Sequence, residues 1–580
     1  MYIIENITPH FSQKFKLKGG VFMRKKTYSF INYRWKEITI NRIYIVAVLL
    51  ICSFLVLLGR LYYIQYYKKE TYSVMADMQY YYEENVRNIN YKLLGRNNEE
   101  LFDYQDKFFV VIDPTTFLTL NNDTSLQDIQ TVTYILRNYN KDYDLSQMKY
   151  KDGSQKYTYE IDYKTYEKLN SSKSVNGIYT YKQKSAMKKK DWKIENLITS
   201  PQNYKDEKFK ESESLEMAIY DRVKKNRFDK IRYEKDVNGK IIGEEIIIPE
   251  DNVNVKLTLD KNIQKLMEET LRSKDFNKYP QIGLTLVESE SGKILSMAQK
   301  DDNISNINIG VPSSNGFLIG SVFKTIVFEA ALDLELADLK DEYEIKNIFP
   351  KSIEKQKIYT LNQAYLRSSN DVFAQLGWKV GLDNIIKYAE SQGLLHSVLN
   401  LHDEAQGAFE GLNEKDKSGV ITNTSIGQTL RTTPLAVSAI PSTIVNKGIY
   451  VKPKILEGYV DNNGHTIEEM PVENYRVLSE ETATIMEEQM REVITSEIGT
   501  GRKTNIEGVY MGGKTGTTEY FVDGKEYSDG WFVGYFKYKD KFYSMVIFIP
   551  EIDIVNDAGG TTAAYVFREA IDKLIKSNYL

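Results

Sequence analysis

From Ile43 to Leu58 the chain carries no charged side chain, and with Gly59 the run is 17 residues long. It resumes beyond Arg60 as Leu61-Tyr62-Tyr63-Ile64. A helix rises about 1.5 Å per residue, so residues 43–64 reach about 33 Å, enough to cross a hydrocarbon core. Arg60 can snorkel to the surface, and the tyrosines suit an interface. A cleaved signal peptide would need a small-x-small site, which is missing here. A buried core helix fits poorly beside a basic flank. Residues 1–42 hold nine Lys/Arg against Glu5 and Glu37. The expectation is a cytoplasmic basic tail (1–42), a transmembrane helix (43–64) and everything after it outside the membrane.

The rest of the chain then has 67 basic and 78 acidic side chains. A mildly acidic bulk argues against nucleic acid as a partner. Cys52 is the only cysteine, which excludes an internal disulfide and a cysteine-held metal cluster. The four histidines, His10, His396, His402 and His465, are scattered, so no zinc site is expected. At 580 residues, two or more domains are needed. Residues 65–252 are polar and rich in Tyr and Lys, with a helical pattern at Leu126–Tyr139 and strand-like alternation at Lys156–Lys164. That stretch carries no catalytic pattern and suits a spacer or interaction domain.

From Val253 the pattern sharpens. Lys256-Leu-Thr-Leu-Asp260 predicts a short strand ending at Asp260, the N-cap of an amphipathic helix over Ile263–Leu271. Gly283–Val287 and Lys293–Ala298 predict a hairpin. Gly530–Phe536 and Phe542–Pro550 predict strands, and Thr561–Lys576 a closing helix. Strands at both ends of a helical middle imply an α+β domain over residues 253–580, its sheet completed by its two termini.

Three motifs in this region carry chemistry. Ser321-Val-Phe-Lys324 opens a run to Leu332 that is apolar around most of a helix, hence buried. At i and i+3 the Ser321 hydroxyl and the Lys324 amine share one face. An apolar surround lowers a lysine's pKa, as a neutral-amine base requires. Ser368-Ser369-Asn370 lies between two helical patterns. There Ser368 can relay a proton, and Asn370 can hold a substrate carbonyl or Lys324. Lys514-Thr515-Gly516-Thr517 precedes a strand. Lys514 can bind a carboxylate and help keep Lys324 neutral, Gly516 leaves room for a substrate along the strand edge, and the Thr517 N–H can face an oxyanion. Taken singly, each motif also reads as plain structure: a capping serine with a snorkelling lysine, a helix cap, a glycine-rich hairpin. Ser185-Ala-Met-Lys188 and Ser352-Ile-Glu-Lys355 fit the first pattern too, but in charged surroundings.

In this order and context the motifs resemble the penicillin-binding-protein/serine β-lactamase superfamily, most of all a class B penicillin-binding protein, a monofunctional peptidoglycan D,D-transpeptidase. The supporting matches include Leu257-Thr-Leu-Asp260, Ser425-Ile-Gly-Gln428, Ile498-Gly-Thr-Gly501 and Gly559-Gly560-Thr-Thr. The pedestal is divergent: Gly95-Arg96-Asn97-Asn98 stands for the family's Asp-Arg-Asn-Gly, and Glu213-Ser-Leu-Glu216 for its Ser-Gly-Leu-Glu. In the catalytic domain Ile319 and Thr429 replace the usual Pro and Gly.

The resemblance implies a membrane-anchored, extracellular transpeptidase domain, an antiparallel sheet packed by helices plus an all-helical subdomain, on a mixed α/β pedestal of dimerisation-domain type. It implies Ser321 as nucleophile and Lys324 as its base. Ser368, Asn370 and Lys514 complete the catalytic set, with Thr515, Gly516 and Thr517 binding substrate. D-Ala-D-Ala stem peptides are the implied substrate, β-lactams the inhibitors and a membrane glycan polymerase the partner, with no metal or organic cofactor. Two other functions stay open. A β-lactamase or β-lactam sensor would need a deacylation base, and Glu410-Gly-Leu-Asn413 falls one residue short of such a motif. A catalytically silent scaffold is the second.

Overall fold

The structure is a computed structural model. It describes residues 28–580 apart from 70–71, 73–79, 144, 146–155, 173, 204–205, 237–239, 350–353 and 414–415, with side chains from Arg42 onward. Residues 1–27 of the basic tail, and Ser352, lie outside the described residues. The chain falls into two units. One is Met1–Tyr82 with Glu234–Ile242; the other, Glu83–Tyr233 with Gly243–Leu580, holds everything discussed below except the N-terminal helix.

In the first unit a helix runs from Tyr28 to Tyr62 and continues as a π-helical turn over Tyr63–Tyr67. Its apolar stretch, Arg42–Tyr67, is long and apolar enough to cross a membrane. Leu49, Phe54 and Leu57 are all exposed along it. It is longer than the 22 residues expected, because the flanking polar residues keep helical geometry.

In the second unit, the strand Tyr104–Ile112 pairs antiparallel with Tyr157–Ile161 on one side and Ile178–Ala186 on the other. The helices Leu126–Tyr139 and Tyr163–Asn170 bury Val132, Leu136 and Leu169 against Val110, Ile112 and Ile161. The alternating stretch at Lys156–Lys164 is thus a strand for only five residues. Asp162 ends it by capping the next helix, accepting from the Thr165 N–H at 2.8 Å.

The two divergent pedestal elements are docking contacts. Leu93–Leu94 pairs in parallel with the strand Asn254–Leu257, and Arg96 N–H donates to the Leu259 carbonyl at 2.9 Å. A Cβ on Gly95 would lie 2.5 Å from Glu99 Oε1. That same carboxylate oxygen accepts from the Lys261 N–H at 3.0 Å. Glu99 therefore fills the space that a side chain at 95 would need. In the other element, Lys210 and Glu216 form a buried ion pair at 2.8 Å, and the Leu215 N–H donates to the Asn400 carbonyl.

The C-terminal region includes helix α1 (Lys261–Leu271), capped by Asp260 through the Asn262 and Ile263 N–H groups. Its five-stranded antiparallel sheet uses β1 (Gly283–Glu288), β2 (Lys293–Gln299), β3 (Met511–Val522), β4 (Lys525–Tyr538) and β5 (Lys541–Ile549), in the spatial order β2-β1-β5-β4-β3. Early and late segments therefore share one sheet, and β3 is one of its two edge strands. Between them lie the helices α2 (Lys324–Asp333), α3 (Leu361–Arg367), α4 (Asn370–Val380) and α5 (Glu480–Thr495). The closing helix α6 (Ala563–Ser577) packs Phe567 and Ile571 on the sheet. Trp531 of β4 is fully buried, and its indole N–H donates to the Leu318 carbonyl at 3.0 Å, tying the sheet to the chain just ahead of Ser321.

Candidate active site

Ser321 lies in a 3₁₀ turn, Gly320–Phe323, that feeds directly into α2. Val322, Phe323, Ile326 and Val327 are all buried, as an all-round apolar helix demands. The turn rests on Ser425-Ile-Gly-Gln428: Gly320 N–H donates to the Gly427 carbonyl at 3.0 Å. Gly427 has φ +80°, and a Cβ there would meet the Gly320 carbonyl oxygen at 2.0 Å. Gly427→Ala should therefore destabilise the protein by about 1–3 kcal/mol and slow any reaction at Ser321. Thermal unfolding and acylation rates on the same preparation check this, and an unchanged midpoint with an unchanged rate would refute it.

Lys324 Nζ is fully buried. It sits 3.1 Å from Ser321 Oγ, 2.7 Å from the Ser368 carbonyl oxygen, 2.6 Å from Asn370 Oδ1 and 3.3 Å from Ser368 Oγ. The Ser368 carbonyl and Asn370 Oδ1 can only accept. They take two amine hydrogens, and a neutral amine then has one lone pair left, for the Ser321 hydroxyl. Burial pushes the Lys324 amine well below the ordinary lysine range; the neighbouring cation Lys514 lowers it further, and Glu354 acts the other way. Phe373, its ring centroid 5.7 Å from Nζ, forms part of the apolar wall.

Ser368 ends α3 in the left-handed region at φ +58°. The reversal lets Ser369 cap α4, its hydroxyl accepting from the Val372 N–H. The capping reading of Ser368-Ser369-Asn370 falls on one residue only. Ser369 caps, while Ser368 and Asn370 face the lysines.

Lys514 on β3 is also fully buried; its Nζ donates to Ser368 Oγ at 3.0 Å and to the Thr515 carbonyl at 2.9 Å. Burial brings its amine down to about 7. The Ser368 hydroxyl thus bridges the two lysines. Thr515 Oγ1 donates to Thr500 Oγ1 at 2.9 Å, and Thr517 Oγ1 accepts from the Gly559 N–H at 3.0 Å. At Gly516 a Cβ would come within 2.8 Å of Val322 Cγ2, so besides any substrate this glycine accommodates the Ser321 turn itself.

All eight candidate residues therefore gather where α2, the α3–α4 turn and β3 meet. A cleft of about 740 Å³ opens there, lined by Ser321, Ser368, Thr515 and Thr517 among others. Among the other lining residues, Thr500, Glu354 and Arg367 carry no role in the sequence analysis. Thr500 belongs to a matched segment but carried no chemical signal by itself. Glu354 accepts from the Ser369 hydroxyl at 2.7 Å and stands in a charged stretch that reads as surface. Arg367 reads as an ordinary helix-end cation.

A buried amine beside a serine hydroxyl, with a second buried amine one hydroxyl away, is an arrangement able to activate that serine as a nucleophile. Residues 282–572 match the penicillin binding protein transpeptidase domain, and this chain belongs to that family. It is 27% identical over 376 residues to stage V sporulation protein D of Bacillus subtilis, covering 60% of this chain and 58% of that one. It is 26% identical over 360 residues to penicillin-binding protein PbpB of Mycolicibacterium smegmatis, covering 56% and 55%. The chain thus spans less than two thirds of the length of these relatives. Among solved structures, penicillin binding protein 3 of Mycobacterium tuberculosis complexed with aztreonam superposes with a TM-score of 0.56 at 17% identity, over 86% of this chain and 98% of that one. These relatives agree with the class B resemblance, and the shared fold extends through the pedestal.

Proposed function

We propose that this chain cross-links peptidoglycan by acyl transfer from D-Ala-D-Ala stem peptides through an ester on Ser321. The observation that carries this is the Lys324 amine, buried, 3.1 Å from Ser321 Oγ, with two other acceptors holding its remaining hydrogens. Lys324 takes the Ser321 proton as Oγ attacks the penultimate D-Ala carbonyl. The Ser321 and Thr517 N–H groups face the developing oxyanion. As the C–N bond breaks, Ser368 passes its proton to the departing D-Ala amine and takes one back from Lys324, 3.3 Å away, which returns to the neutral amine. Lys514, Thr515 and Thr517 hold its carboxylate, and Asn370 aligns the peptide. An amine on a neighbouring stem then attacks the ester. It gives its proton to Lys324, which hands one to Ser321 Oγ as the ester C–O bond breaks, so the serine hydroxyl and the neutral lysine are both restored. The basic flank of the N-terminal helix supports a pedestal (65–252) and a transpeptidase domain (253–580) that lie outside the cell.

Intact-mass analysis of the detergent-solubilised full chain after exposure to penicillin tests the reading. One adduct is expected, mapped to the peptide bearing Ser321 and persisting for many minutes. A fluorescent penicillin should label it equally in intact and lysed cells. No adduct favours a silent scaffold, whereas fast nitrocefin turnover with no lasting adduct favours a β-lactamase.

A further inference from the structure

Glu329 stands on α2, beyond Lys324 on the same helix, and is fully buried. Its Oε1 accepts from the side-chain amide of Gln392, which ends the helix Leu382–Ser391 and is fully buried too. Two oxygens of this couple, Glu329 Oε2 and Gln392 Oε1, are shut off from solvent and have no hydrogen-bond partner. Other buried acids are supplied differently. Glu216 pairs with Lys210 and Glu268 with Lys193, while Asp371 accepts from the Lys346 and Ile348 N–H groups. The charged group that acts on Glu329 is Asp333, about one turn further along α2, and it repels a second negative charge.

An ionised carboxylate can only accept, and so can an amide oxygen. Two such oxygens cannot satisfy one another, and leaving both buried and unmet is costly. One proton on Glu329 removes the conflict. A carboxylic acid and a primary amide already joined through the amide N–H close a ring when the acid O–H donates to the amide oxygen. Turning the amide over changes nothing, since its oxygen still needs a donor and its N–H an acceptor. The surroundings suit a neutral acid. Burial pushes the Glu329 carboxyl well above the usual carboxylate range, the Gln392 amide acts the other way, and Asp333 adds to the rise. Asp333 accepts from the Tyr388 hydroxyl at 2.7 Å and the Ser479 N–H at 2.8 Å, which favours its own charge. The phenols of Tyr365 and Tyr388 also face Glu329, and burial keeps both neutral. Helix α5, packed on α2, buries only uncharged side chains.

The couple also lies on a route to the nucleophile. Just past Gln392 the Leu394 carbonyl accepts from Thr432 Oγ1 at 2.8 Å, and Thr432 pairs with Phe317. The Ile319 N–H donates to the Leu430 carbonyl at 3.1 Å, immediately ahead of the Ser321 turn. Glu329 thus joins α2, behind Lys324, to the stretch of chain that also holds the entry to Ser321. We propose that Glu329, kept as a neutral acid, and Gln392 form a cyclic acid–amide pair that positions α2 and with it Ser321 and Lys324. Both are positioning residues, acting through the helix and not on substrate. When the carboxyl ionises at high pH, the ring loses its O–H and two acceptors face each other unpaired.

Melting of the full chain in detergent reads the proton. E329Q keeps a ring, now through two amides, and has nothing to titrate at this position. The folded wild type holds a proton that the unfolded chain releases above about pH 4.3, so it loses stability relative to E329Q as pH rises. The melting temperature of E329Q minus that of the wild type should climb steadily between about pH 5 and about pH 8. A gap that stays level over this range means an ionised Glu329 and overturns the pair. Acylation of Ser321 by penicillin, timed well below melting, reads the positioning. Q392L leaves the acid without its amide and should slow acylation by about tenfold or more. E329Q/Q392E exchanges the two groups and should return the rate to within about threefold of wild type. A folded Q392L that acylates at the wild-type rate, or an exchanged pair that stays about tenfold slow, overturns the positioning role. If Q392L does not fold, the exchanged pair decides alone. The rates rest on the acyl-transfer reading above, whereas the melting gap does not. Absence of any penicillin adduct therefore fails that reading, and the gap still decides the acid–amide pair.

Discussion

Ser321→Ala should abolish covalent capture of penicillin, leaving no adduct by intact mass at exposures that saturate the wild type. The Ser368 hydroxyl cannot take over. Ser368 Oγ lies 3.3 Å from Lys324 Nζ, but it also accepts from Lys514 at 3.0 Å and sits on a helix-ending residue at φ +58°. The 3₁₀ turn that carries Ser321 has no counterpart there. The Ser321 hydroxyl is hydrogen-bonded to Lys324, so its loss should cost the fold no more than about 1 kcal/mol. An unchanged melting temperature with no adduct is the expected pair of results. A stoichiometric adduct on the variant would move the nucleophile elsewhere.

Lys324→Met should slow acylation of Ser321 by about 10²–10⁴-fold, the usual contribution of a positioned general base. Methionine fills the buried channel but offers no lone pair, so the serine must lose its proton unaided. The Ser368 carbonyl and Asn370 Oδ1 also lose a donor, which should cost about 1–3 kcal/mol. Removing an amine whose charged form burial disfavours offsets part of that. The pH profile separates a base from a mere packing group. Acylation should rise with pH along a limb well below the ordinary lysine range, because Lys324 acts only after losing its proton. Lys514 repels that proton and lowers the Lys324 pKa, so Lys514→Gln should move the limb to higher pH. A limb that stays put, or moves to lower pH, would sink the neutral-amine assignment.

Much of the frame was legible along the chain because its physics is local. The α1 helix and its Asp260 cap, the β1–β2 hairpin and the closing helix each follow from periodicity and a turn signal. The Lys156–Lys164 stretch was only half legible, since an alternating pattern does not reveal that Asp162 will stop the strand and start a helix. At the site, residue type and order pointed to Ser321, Lys324, Ser368, Asn370 and Lys514. They could not show that Ser369 caps a helix so that its neighbours face inward, or that Thr500 bonds Thr515. Nor could they show that Gly516 makes room for Val322.

The sequence alone determined the candidate reactive groups, the apolar helix that buries Lys324 and the helix able to cross a membrane. These rest on side-chain chemistry and on 3.6-residue periodicity, which need no partner segment. Only the tertiary structure decided that two buried lysines share one serine hydroxyl and that Glu99 occupies the space beside Gly95. It also set the end of α3 against residues 500–504. Each of these joins segments tens to hundreds of residues apart, and packing and burial, not local propensity, choose which of them meet.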